Sequence, residues 1–329
     1  VACGLSAATM DDAASRLRKV GIVMRITDRA VRTWPLNEWA LWRRVDADGG
    51  SSKVGVRRMM PDKGSSLALD DLDFMPDLDN FVVSSTARFP VMSATDSLVG
   101  AAQAHTAAFK EGRTNVAAVV SLCRCALEAS AKTIWLLADP RREERRARSL
   151  GFNQSERQPQ QSFHRIEERV FAARNLPKES SEYKAFERHK AEYDRRAALI
   201  AAVPRTERRK PPGNYSDFVT WSAKWIDANP APHVSDQSTL GMELGSDRFY
   251  SYASSFIHAY KWMTDYVHDD EDTMKVLADG FAAAVIMTEC AVALFEAQST
   301  HPARLSIRLQ HCPKSLWPTI EEWAPRYFE

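Results

Sequence analysis

The chain has 329 residues, 44% apolar and 26% charged, with a formal net charge of +1. Its size allows one large helical domain or two smaller ones, and its composition is ordinary for a soluble globular protein. The near-neutral balance gives no global electrostatic pull toward nucleic acid or membrane. Five irregularly spaced cysteines (Cys3, Cys123, Cys125, Cys290, Cys312) support neither a disulfide framework nor a zinc site.

Residues 1–90 read as a small mixed N-terminal region. The opening "VACGLSAATMDDAASRLRKV" lacks a basic segment followed by an apolar core, which argues against a secretion signal. "SAATMDDAASRLRKVGIVM" predicts a helix, "TDRAVRTW" a short second one, and "LNEWALWRRV" follows Pro35 with Trp39 and Trp42. "KVGVRRMM" and "NFVVSS" show weak alternation and predict short strands.

From residue 92 the pattern is helical, with no internal repeat. Four core helices are predicted at 92–111, 113–139, 246–267 and 271–298, antiparallel across short loops. On the second, Val116, Val119, Val120, Cys123, Leu127, Ile134 and Leu137 form one stripe at about 100° per residue. The run "FAAAVIMTECAVALF" is too short for a bilayer and carries Glu289, so it reads as a buried core helix. The fold expected is mainly α: a helical bundle domain over 91–329 with a charged helical insertion at about 141–210. The tail, 300–329, is expected to wrap over the bundle.

Charge is unevenly spread. Residues 140–210 hold 19 Lys/Arg and 11 Asp/Glu, a net of +8 against −7 for the rest. Residues 61–80 hold six Asp and one Lys. Such segments attract each other within one molecule or between subunits. Arg141, Arg142, Arg145, Arg146 and Arg148, with Arg205, Arg208, Arg209 and Lys210 further on, are candidates for phosphate contact. Their interspersed acids equally suit a solvated or inter-subunit surface.

The stretch "DRFYSYASSFIHAYKWMTDYVHDD", 247–270, draws the most interest. On a helical wheel Phe249, Tyr252, Ala253, Phe256, Tyr260, Met263 and Val267 fall within about 40° of one direction. His258 points the opposite way, with Ser251, Ser254 and Asp265 beside it. Ser254 and His258 at i and i+4 present a hydroxyl and an imidazole to one ligand, and imidazole performs acid–base work near neutral pH. The same pattern suits a histidine bonded across a helix or subunit contact. Arg124 and Glu128, an i, i+4 pair, and Glu289 read as site residues or as a structural ion-pair network. No Glu-x-x-His, phosphate loop or dinucleotide fingerprint occurs, so no metal or cofactor is expected.

"CRCALEASAKTIWLLADP", followed much later by "FYSYASSFIHAY", resembles a group of bacterial helical proteins distantly similar to HEPN-type domains. The resemblance covers about residues 95–298. HEPN ribonucleases use an Arg followed by four to six residues and then a His, brought together by two subunits. By that resemblance His258 is the motif histidine, but positions 251–253 are Ser-Tyr-Ala and Arg248 lies too far upstream. Arg124 is a candidate for the missing charge. The cysteine usage favours reduced thiols and a cytoplasmic protein, and with the resemblance the expectation is a homodimer that binds RNA or a partner protein in defence or stress. The alternatives are a metal-independent ribonuclease using His258, with Ser254, Arg124 and Glu128, and a structural assembly subunit. No membrane partner is expected.

Overall fold

The computed structural model describes residues 21, 24–26, 28–44, 61–234 and 241–328, and among them the regular structure is helical, with no strand. The expected strand at 53–60 lies outside the described residues. The α-helices, in chain order, are α1 (Trp34–Arg44), α2 (Ser66–Asp71), α3 (Val82–Lys110), α4 (Val116–Leu137), α5 (Arg142–Ser155) and α6 (Arg157–Ala173). Then come α7 (Ser181–Ala202), α8 (Tyr215–Ala228), α9 (Gly241–His258), α10 (Asp270–Ser299), α11 (Leu305–Leu309) and α12 (Trp317–Trp323).

The bundle is built from α3, α4, α9 and α10, the four helices expected, with α8 as a fifth against α4 and α9. Helix α4 lies at its centre. Its predicted stripe is buried except for the half-buried Val116, and Ala131, Trp135 and Leu136 are buried as well. A helix covered by α3, α8 and α10 together has to be apolar on more than one face. Helix α10 is long and apolar enough to cross a membrane by length and composition, but its apolar stretch is mostly buried in the bundle. Gly280 permits the approach of α9, since a Cβ there would meet the Phe249 ring at 2.6 Å.

Three boundaries differ from expectation. "NFVVSS" is not a strand: α3 starts at Val82 because the buried Asp71 carboxylate accepts from the Val83 and Ser84 N–H groups at 2.8 and 3.3 Å. That carboxylate also accepts from the Ser84 hydroxyl at 2.5 Å, an N-terminal cap supplied from a distance. Helix α3 then runs through Pro90, so the domain boundary drawn at 90/91 falls inside one helix. A proline disturbs the hydrogen bonds of the preceding turn. The buried Thr133 hydroxyl donates to the Ala87 carbonyl there.

The helix predicted over 246–267 stops at His258. Ala259 adopts φ 53°, and the Tyr260 N–H closes on the Ser255 carbonyl at 2.9 Å. This left-handed closure ends helices, usually at glycine. Residues 261–265 form a 3-10 turn that buries Met263.

The described N-terminal residues share the bundle's core. Ile26, Leu36 and Trp39 belong to the same buried cluster as α4 and α10. The Trp39 indole donates to the buried Glu296 at 3.0 Å, and Arg32 reaches Glu289 at 3.5 Å. The C-terminal helix α12 packs on α10 and buries Ile320 and Trp323, as a wrapping tail requires.

The insertion forms α5, which packs on the bundle, and an arm made of α6 and α7. The arm turns at Pro177, and the Ser180 hydroxyl caps α7 through the Tyr183 N–H. Aromatic rings join its two helices: Phe171 meets Phe186 at 5.2 Å and His164 meets Tyr193 at 4.9 Å, both edge-on.

Candidate functional site

Three of the four residues expected in a catalytic group do meet. The Arg124 guanidinium on α4 donates to Glu128 Oε1 at 2.7 Å, to the Ser254 hydroxyl at 3.2 Å and to the Tyr250 hydroxyl at 2.8 Å. Tyr250 in turn donates to Glu128 at 3.0 Å, and its ring lies 4.3 Å from the Arg124 guanidinium carbon. Burial, with the Glu128 charge beside it, pushes the Tyr250 phenol up to about 12, so it stays a proton donor. Tyr250 was not anticipated. It falls on the edge between the two faces of α9, one turn before Ser254, and only its partner on α4 reveals its role.

His258 does not join this group. It is exposed at the last position of α9, and its ring lies 5.5 Å from that of Tyr260. Ser254 donates to the Tyr250 carbonyl at 2.8 Å. The cluster is therefore a closed ion-pair and hydrogen-bond network joining α4 to α9. Glu289 is separate from it, buried between Arg32 and His233.

The arginines of α5 divide sharply. Arg145 is 1% exposed. Its five N–H donors bond Asp70 twice (2.6 and 2.7 Å), Ser66 (2.9 Å) and the Asp139 and Pro140 carbonyls (2.8 and 2.7 Å). Arg146 caps the end of α2 by donating to the Leu69, Asp70 and Leu72 carbonyls. Arg142 lies 3.4 Å from Asp70, and Arg141 chelates Asp139. Of these four candidates for phosphate contact, Arg145 has neither a donor nor a surface to offer and Arg146 holds α2, while Arg141 remains exposed beside Asp139 and Arg142 half-buried beside Asp70. The acidic segment 61–80 and the basic segment attract each other within one molecule.

The second basic segment, 205–210, behaves differently. It lies across α5, where the Arg209 N–H donates to the Ala147 carbonyl at 2.9 Å. Arg209 forms a two-pronged pair with Glu144, both bonds 2.7 Å, and those bonds hold the Glu144 carboxyl below its usual range. Gly151 makes the contact possible, because a Cβ there would sit 1.7 Å from the Arg209 carbonyl oxygen. Anchored in this way, the segment leaves Arg205, Arg208 and Lys210 lining an open groove of about 870 Å³. Its opposite wall carries Gln154, Ser155 and Gln158, and Pro211–Gly213 continue the near wall.

No carboxylate lines this groove, and among the described residues none forms an ion pair with Arg205, Arg208 or Lys210. Arg208 donates to Gln154 at 3.3 Å, while its buried Nε has no acceptor. Just past the groove the exposed Tyr215 ring packs against the Lys132 ammonium, 4.6 Å from its centroid. The groove is lined by three cations and by amide and hydroxyl groups, and Tyr215 follows its last lining residue, Gly213, by two positions in the chain. Residues 205, 208 and 210 are visible as basic in the sequence. The groove itself depends on Gly151 and Glu144, which are more than fifty positions away in the chain. No protein-family model, no curated protein and no solved structure matches the chain.

Proposed function

We propose that this protein binds single-stranded RNA in the groove between the 205–210 segment and the α5–α6 junction, and does not cleave it. The observation that carries this reading is a groove of about 870 Å³ lined by three cations that no carboxylate neutralises. Cations left unpaired in a concave site attract phosphates and release their condensed counterions. An exposed aromatic ring beside such a track, here Tyr215, offers a stacking surface to an unpaired base. The resemblance of the sequence to HEPN-type domains implies a helical RNA-binding role of this kind.

The test is fluorescence anisotropy of a labelled RNA oligonucleotide titrated at several salt concentrations. Three phosphate contacts predict a slope of about −2 in log K against log salt. Replacing Arg205, Arg208 and Lys210 together by Ala should abolish most of that slope. Replacing Arg141 and Arg142 should leave it nearly unchanged. An unaltered slope in the triple variant would refute the assignment.

The alternative reading, a metal-independent ribonuclease using His258, draws support from Arg124, which reaches Ser254 one turn before His258. Arg124 is already paired with Glu128 and Tyr250, which favours binding over cleavage. The wild-type protein is expected to leave total RNA intact. Cleavage that disappears in His258→Ala would reinstate the enzyme.

A further inference from the structure

A second cavity lies on the other side of the α5–α6 junction. It encloses about 200 Å³ between the start of α3, that junction and α7. That is far above the ~10–15 Å³ one water needs and below the ~300 Å³ where drug-sized sites begin. It has the dimensions of a small solute.

Its walls carry charge of both signs. Glu156 and Asp79 contribute carboxylates, and Arg157 and Arg196 contribute guanidiniums. Two of these groups have few partners in the protein: Glu156 is exposed, and the Arg157 guanidinium stacks on the Tyr193 ring, 5.3 Å from its centroid. The Glu156 side chain forms no hydrogen bond or ion pair among the described residues, although Arg157 follows it in the chain. The Arg157 Nε is buried without an acceptor, and the only bond from its terminal nitrogens is a long one, 3.5 Å, to the Tyr193 carbonyl. Asn153 donates its amide to Thr86 and Ser149, leaving its Oδ1 uncommitted.

We propose that this cavity binds a free α-amino acid. A simple anion placed here would face Glu156 and Asp79, and a simple cation would face Arg157 and Arg196. A small molecule with both charges meets neither repulsion. Its carboxylate is an acceptor for the terminal nitrogens of Arg157, which hold one long bond, and its ammonium is a donor for the Glu156 carboxylate and the Asn153 Oδ1. The site joins the bundle, through α3 and α5, to the arm, through α6 and α7. An occupant therefore ties the arm to the bundle and stabilises the folded chain by mass action.

The experiment measures thermal unfolding and calorimetric binding of the full chain with each of the twenty L-amino acids at millimolar concentration. Acetate and methylammonium serve as controls with one charge each. At least one amino acid is expected to raise the melting temperature and bind, while both controls do nothing. Glu156→Gln and Arg157→Gln should each weaken that binding about tenfold or more, the loss of one charge-assisted contact. Glu156 has no partner to lose, so its variant should keep the wild-type circular dichroism even if Arg157→Gln fails to fold. The proposal is overturned if no amino acid binds, if acetate or methylammonium binds equally well, or if Glu156→Gln binds the amino acid as tightly as the wild type.

Discussion

Residues 141–148 hold five arginines and two glutamates, and residues 205–210 hold three arginines, one lysine and one glutamate. The two segments are alike in composition and both rest on the same part of the fold, yet their cations do different things. In the first, acids and carbonyls from α2 and from the α4–α5 turn surround the guanidiniums, and Arg145 spends all five donors inside the protein. In the second, only Arg209 is held by a carboxylate, and the three remaining cations face a groove without one. Net charge does not distinguish a structural arginine from a binding one. What distinguishes them is whether the fold delivers acceptors to the guanidinium, and that depends on segments distant in sequence.

The largest effect that tests this contrast is on stability. Arg145→Ala leaves Asp70 buried without its two-pronged partner and with only Arg142 at 3.4 Å, which costs about 3–5 kcal/mol. Arg205→Ala, at an exposed residue without an ion-pair partner, should stay within about 0.5 kcal/mol. Urea unfolding of both variants measures the difference. Equal destabilisation would remove the distinction between the two segments.

A second test uses pH and gives opposite signs for carboxylates on the two sides. Burial pushes the Asp71 carboxyl up to about 6 from an ordinary 3.8, despite the hydrogen bonds it accepts from Ser84 and Val83. The folded chain then holds a proton that the unfolded chain has released, so this group's contribution falls as pH rises from about 4 to about 6. The full difference amounts to roughly 2–3 kcal/mol. Glu144 is shifted downward by Arg209, so its contribution is present above the ordinary 4.5 and is lost as pH falls through its lower folded value. Unfolding midpoints of Asp71→Asn across this range should lack the decline between pH 4 and 6. Those of Glu144→Gln should lack the loss at more acidic pH.

The same contrast explains how much of the molecule was legible in its sequence. The positions of α4 and α10 follow from apolar spacing, because a helix must bury its apolar residues wherever its neighbours lie. The turn of the arm follows from Pro177. The start of α3 was misread because its cap, Asp71, stands eleven residues before Val82 and adds no local signal to "NFVVSS". The end of α9 was misread because an alanine, Ala259, adopts the left-handed conformation that normally announces itself as glycine. In the α4–α9 cluster, Arg124, Glu128 and Ser254 were identified from i, i+4 spacing and from polar residues on a helix face. Tyr250 was missed because its membership depends on the angle at which two helices meet.

The groove gives the third and smallest stability effect, and it bears most directly on function. Gly151→Ala places a methyl group 1.7 Å from the Arg209 carbonyl oxygen, and backbone cannot yield as a flexible side chain would. Either α5 or the 205–210 segment has to move, at a cost typical of overpacking, about 1–3 kcal/mol. The segment is the lighter of the two, held to α5 by one backbone bond to Ala147, the Arg209–Glu144 pair and the Arg208–Gln154 bond. Its displacement would carry Arg205, Arg208 and Lys210 away from Gln154 and Gln158 without changing a single charge. RNA affinity of Gly151→Ala should therefore fall while net charge and helix content hold, as measured by anisotropy and circular dichroism on one sample. If affinity is unchanged, the cations act as a diffuse positive surface and the geometry of the groove is irrelevant. If it falls with the charge intact, position carries the binding, as it already decides the fate of Arg145.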